Sequence, residues 1–147
     1  MAITQAVANS FKKEILEGTH KFQFSGGDTF KLALYSSTAT LNSATTAYTS
    51  TGEVGASGQY VAGGGTLVKP NPSTSVASGV AMVTFANLSF TGVTITARGA
   101  LIYNTSSSNK AVAVLDFTSD KTATSGTFTI QFPAFTTSAA ILRIGNA

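Results

Sequence analysis

Cysteine and tryptophan are absent from the 147-residue sequence, histidine occurs once, at His20, and Asp and Glu together number 6. The missing thiols exclude disulfide staples and thiolate metal sites, so stability has to come from packing or from neighbouring subunits. General acid–base and nucleophilic catalysis need a positioned acid, base and nucleophile, and so few ionisable groups leave little from which to assemble them. The reading is therefore of a non-enzyme, with no catalytic residue, cofactor or metal assigned. No apolar run approaches the ~20 residues that span a bilayer, which excludes a membrane helix. The first residues lack the charged start and apolar core of a signal peptide, so the expected place of synthesis and assembly is the cytoplasm of the producing cell.

Charge is scarce as well. Charged residues make up 10% of the sequence, against about a quarter in an ordinary globular chain. Lys and Arg number 9, for a net charge of +3, with no run longer than Lys12-Lys13. Nucleic-acid readers concentrate cations on one face to displace phosphate counterions, and that footprint is missing. Serine and threonine, 40 in all, have to supply solubility instead. Low charge weakens repulsion between copies, which points towards assembly and a homo-oligomer.

The length suits one domain over residues 1–147, and periodicity gives its parts. Ile3, Val7, Phe11 and Ile15 recur every four residues, which predicts an amphipathic helix over 3–17, capped by Thr4 and ended by Gly18. Its stripe faces either the domain's own sheet or a neighbouring copy. Phe22 and Phe24, then Phe30, Leu32 and Leu34, alternate with polar or small residues, and the intervening Ser25-Gly26-Gly27-Asp28 predicts a hairpin. Residues 36–79 are long, polar and Gly-rich. They are read as short irregular strands, as a projecting arm ordered by a partner, or as a mobile surface loop. Strands are expected at 66–69, 80–85, 93–96, 100–103, 111–117, 127–132 and 140–144, with turns at 104–109 and 119–126. This spacing predicts a mainly β fold, an antiparallel two-sheet β-sandwich of jelly-roll type, with the one N-terminal helix laid against a sheet or edge.

Several residues stand out against this background. Arg98 interrupts an apolar run and precedes Gly99, which predicts a β-bulge with Asp116 as the paired carboxylate; the bridge either fixes strand register or joins subunits. His20 reads as a helix-end cap or surface residue. The acids Asp28, Glu53, Asp116 and Asp120 lack the dense spacing of a calcium loop. The run Gly63-Gly64-Gly65 lacks the Lys-Ser/Thr of a phosphate loop. Tyr48 and Tyr60 have faces on which a sugar ring could stack, although no tryptophan supports them.

The chain resembles a family of small virion structural proteins of tailed bacteriophages, including phages of cyanobacteria and other aquatic bacteria. The resemblance is carried by Met1-Ala-Ile-Thr-Gln, Ser10-Phe11-Lys12 through Gly18 and His20, and Thr29-Phe30-Lys31-Leu32-Ala33-Leu34-Tyr35. In the second half it is carried by Ile95-Thr96-Ala97-Arg98-Gly99-Ala100-Leu101-Ile102-Tyr103-Asn104, Ala111-Val112-Ala113-Val114-Leu115-Asp116-Phe117 and Phe128-Thr129-Ile130-Gln131-Phe132-Pro133. It implies location in the virion and a structural role. The specific expectation is a capsid decoration or cement protein that binds the major capsid protein or other virion proteins on the outer head lattice, with trimers at three-fold positions. Such a role needs neither nucleic acid nor membrane as partner. A tail, baseplate, collar or fibre component, and a carbohydrate-binding module for the host surface, are the alternatives. The residues expected at partner contacts are Phe11, Ile15, Tyr48, Tyr60, Val61 and Arg98.

Overall fold

The computed structural model describes residues 2–145; Met1, which opens one of the segments above, lies outside the described residues, as do residues 146 and 147. The chain is mainly β: two antiparallel sheets and one short helix, in the manner of a β-sandwich. The larger sheet takes the order β1 (Ala6–Val7), β7 (Lys110–Ile130), β6 (Leu88–Asn104), β2 (Phe30–Tyr35), β3 (Gly65–Thr66). The smaller takes β4 (Thr74–Ala77), β5 (Val80–Val83), β8 (Leu142–Ile144).

The long β6–β7 hairpin is the frame. Its outer part alternates as the sequence does, with Phe90, Val93, Ile95 and Ala97 buried while Ser89, Thr94 and Thr96 face solvent. Hydroxyls pair across the exposed face, Ser89 with Thr129 and Thr96 with Thr122, each at 2.9 Å. The expected turn at 104–109 is present: the Asn104 side chain accepts from the Ser106 amide, and Ser108 and Asn109 take positive φ. The expected turn at 119–126 is not, since those residues continue in β7. Chain reversal is replaced there by register shifts opposite Gly92, Val93 and Ala97, and the positive φ of Thr118 and Ser125 is absorbed within the strand.

Cross-strand partners share a face, so the register sorts the central strands. Phe30, Leu32 and Leu34 lie with Asn104, Ile102 and Ala100; Lys31, Ala33 and Tyr35 lie with Tyr103, Leu101 and Gly99. A column of rings covers the first face: Phe11 on Phe22 at 5.9 Å, Phe22 stacked on Phe30 at 4.4 Å, Phe30 on Phe85 at 5.8 Å and Phe85 on Phe132 at 5.6 Å. Each such pair adds about 0.5–1.5 kcal/mol beyond burial. The small sheet joins this side through Leu142 and Val83.

Residues 36–64 cover the second face. Bridges Tyr35 to Glu53 and Ala47 to Lys110 fasten them, and Tyr48 stacks on Tyr103 at 4.9 Å. Within 36–79, residues 36–64 carry isolated bridges and irregular backbone, and the short strands β3 and β4 follow. The hairpin expected from Phe22 to Tyr35 is also corrected. Only Phe30–Tyr35 is a strand, Phe22 is buried while Phe24 is exposed, and the loop closes by Asp28 N donating to Lys21 O at 2.8 Å and Lys21 N to Asp28 Oδ2 at 3.0 Å.

Candidate docking surface

The helix α1 spans Asn9–Leu16, shorter than the expected 3–17. Ile3 instead bridges Leu41, and Ala6 and Val7 pair with Val114 and Ala113, because β7 has an open edge that backbone groups can fill. Ala8, not Thr4, is the N-cap, and no side chain caps it. The other end is as expected: Gly18 takes φ +76°, its amide donates to Ile15 O, and the Thr19 amide donates to Glu14 O, a Schellman closure.

Phe11 and Glu14 form the buried face of α1. A buried carboxylate needs partners, and Glu14 has two: His20 Nε2 at 3.1 Å and Lys110 Nζ at 3.0 Å. Burial would push the Glu14 carboxyl up, but the hydrogen bonds from His20 and Lys110 outweigh it and hold the group below its usual value. Asn104 Nδ2 donates to His20 Nδ1 at 3.0 Å and to Asp28 Oδ2 at 2.8 Å. The amide nitrogen can only donate, which assigns Nδ1 as acceptor and Nε2–H as the donor to Glu14. His20 is thus neither a surface residue nor a helix cap. Both ring nitrogens are engaged inside the protein, leaving none for a substrate proton. Among the described residues, no three His, Cys, Asp or Glu are grouped to hold a metal ion.

All four tyrosines of the sequence meet around Glu53. Its carboxylate accepts from Tyr48 OH at 2.6 Å, Tyr60 OH at 2.7 Å and the Gly63 amide at 2.7 Å. Tyr60 OH in turn accepts from Leu34 N at 2.8 Å, and Tyr35 OH donates to Thr49 O at 2.6 Å. Burial, followed by the Glu53 hydrogen bond and charge, pushes the Tyr48 phenol up to about 12; burial and the Glu53 charge do the same to Tyr103. Tyr35 and Tyr60 are raised further, again chiefly by burial. Phenols held this far above neutrality are fixed donors, so the cluster anchors residues 36–64 to the sheet.

Two hollows stand out among the described residues. One, of about 590 Å³, lies beside β7, with Leu115, Phe117, Phe128, Ile130 and Ile141 in its walls. The larger, of about 860 Å³, is a groove between α1 and the small sheet. Phe11, Ile15, Ala81, Val83 and Leu142 contribute to its apolar lining. Leu16 and Ile144, exposed at 88% and 63%, also line it, and Val76, exposed at 71%, stands opposite Ala81 on β4. Lys12, Lys21 and Arg143 are among its lining residues, and no described lining residue carries a carboxylate.

Against this geometry the six residues expected at partner contacts separate. Phe11 is buried, and with Ile15 forms part of the groove wall. Tyr60 is fully buried and cannot meet a partner; Tyr48 is half-buried with its hydroxyl bonded to Glu53. Val61 is exposed, apart from the groove. Arg98 Nε lies 3.4 Å from Asp116 Oδ1, and the strand register shifts between Ala97 and Gly99, so the expected bulge and pair both form within the chain. Leu16, which widens the helical stripe in the sequence, was not expected at a partner contact, and neither were Val76 and Ile144. Comparison with protein-family models, with curated proteins and with solved structures found no match.

Proposed function

We propose that the chain is a structural protein of a tailed-phage virion that decorates and cements the outer head lattice by binding the major capsid protein. The resemblance of the sequence segments supplies the class. The observation that supports an adhesive task is the concentration of exposed apolar side chains, Leu16, Val76 and Ile144, about one groove of a weakly charged protein. Repetition on a lattice multiplies modest individual contacts by avidity. The role is non-catalytic in this reading, because the single histidine is closed off by Glu14 and Asn104. Quantitative mass spectrometry of purified particles tests it: a copy number that scales with the capsomers is expected, whereas a small number set by the rotational symmetry of the tail, or absence from particles, refutes the cement assignment.

A further inference from the structure

We propose that the groove between α1 and the small sheet receives an extended segment of another protein, carrying acidic and apolar side chains, which adds to the free edge of β4 as a fourth strand. The proposal goes beyond the virion reading and does not depend on it.

The edge itself is the first ground. Among the described residues β4 pairs with β5 alone, and all four of its residues are exposed. Edge strands are ordinarily guarded by lysine, proline or a bulge. Here Thr-Ser-Val-Ala is uncharged and pairs in unbroken register, Thr74 with Val83 through Ala77 with Val80. Ser78 and Gly79, both at positive φ, close the hairpin in a two-residue turn.

The second ground is the continuity of one sheet face with the groove. Thr74, Val83 and Leu142 form one cross-strand row, and Val76, Ala81 and Ile144 the next. Both rows lie on the same face, because residues two apart on a strand point the same way. Five of these six residues line the groove, Val76 being the exception. A strand added beside β4 would extend both rows, setting every second side chain next to Thr74 and Val76 at the margin of the apolar floor while its backbone satisfies the open edge.

Charge selects the occupant. Lys12 and Lys21 rim the groove, whereas Arg143, between Leu142 and Ile144 on β8, lies on the opposite sheet face and donates to Thr137 O at 3.2 Å. The acids of α1 are already engaged, Glu17 by Lys13 at 2.6 Å and Glu14 by His20 and Lys110. An isologous contact between two copies would bring the same lysines together with no carboxylate of the described lining to meet them, so a second copy is disfavoured and an acidic segment from a different protein is favoured.

The test is selection of a random twelve-residue peptide library against the purified full chain, then synthesis of the enriched peptides. Enriched sequences should alternate apolar with other residues and carry net negative charge. Reversing the rim with Lys12→Glu and Lys21→Glu should weaken binding about tenfold or more, as should Ile144→Asp, with circular dichroism confirming that each variant is folded. Hydrogen exchange should show the amides of residues 74–77 becoming protected when peptide binds. No enrichment, basic consensus peptides, affinity unchanged by rim reversal, a helical peptide that leaves 74–77 unprotected, or a dimer of the chain broken by Ile144→Asp would each overturn the proposal. Particle stoichiometry has no bearing on these outcomes, so this inference and the virion reading fail separately.

Discussion

Tyr60 and Glu53 hold each other in the interior: the phenol donates to the carboxylate at 2.7 Å while accepting the Leu34 amide at 2.8 Å. One hydroxyl thus links an irregular segment to the backbone of β2. Tyr60→Phe removes a donor from the carboxylate and strands a backbone amide, at an expected cost of about 1–3 kcal/mol. A double-mutant cycle with Glu53→Gln, read from urea midpoints, should give a coupling of about 0.5–3 kcal/mol. Additive effects would show that the two groups do not act together.

The same cluster sets an alkaline limit. Unfolded phenols titrate near 10.0, whereas Tyr48 and Tyr103 in the folded protein wait until about 12. The folded state therefore keeps its protons more tightly, a contribution present in full below pH 10 and lost as pH rises through 12. Phenolate absorbance should stay low at pH 10 and then appear together with loss of structure. Free titration of four tyrosines at pH 10 with the fold intact would contradict the cluster.

At the acid end the sign is opposite. Glu14 has its carboxyl held below the usual 4.5, so the unfolded chain takes up a proton first as pH falls. Its contribution is present above pH 4.5 and lost as pH drops through the lower folded value. Glu14→Gln should therefore destabilise the protein at pH 7, and the difference from the parent protein should shrink by pH 3.5. Denaturant midpoints at the two pH values check this, and a constant difference would sink the assignment of Glu14 as the ionised partner of His20 and Lys110.

Local chemistry made some of this legible in the sequence. A charge beside glycine in an apolar run has few uses but a bulge and a pair, and Arg98 with Asp116 is that pair. Alternation over Phe30–Tyr35 gave a strand because the pattern is short, regular and flanked by polar residues. The spacing of Ile3, Val7 and Phe11 misled, since a four-residue period cannot reveal an open β7 edge that recruits Ala6 and Val7 into a sheet. Tyr60 was expected at a partner contact within a polar region, yet polar neighbours can be the means of burial when they bring Glu53 and backbone donors with them. The groove was hidden for a different reason: α1 and β8 come from opposite ends of the chain, and only the folded topology brings Leu16 and Ile144 to one surface.

The glycine run that was dismissed as a phosphate loop has a structural use that mutation can read. Gly64 takes φ +80°, and a Cβ there would overlap the Leu32 carbonyl and come within 2.7 Å of Ala33 Cα. The chain needs that close approach because β3 pairs with β2 through Leu32 and Gly65 immediately afterwards. Gly18 provides the control, since it takes φ +76° with nothing within 4 Å of the added atom. Gly18→Ala should cost only left-handed strain, about 1–2 kcal/mol. Gly64→Ala adds a backbone collision to the same strain and should cost about 4 kcal/mol or more, at the diagnostic end of single substitutions. Thermal or urea unfolding of the two variants separates the effects: equal losses would mean that β3 does not approach β2 as closely as Gly64 permits.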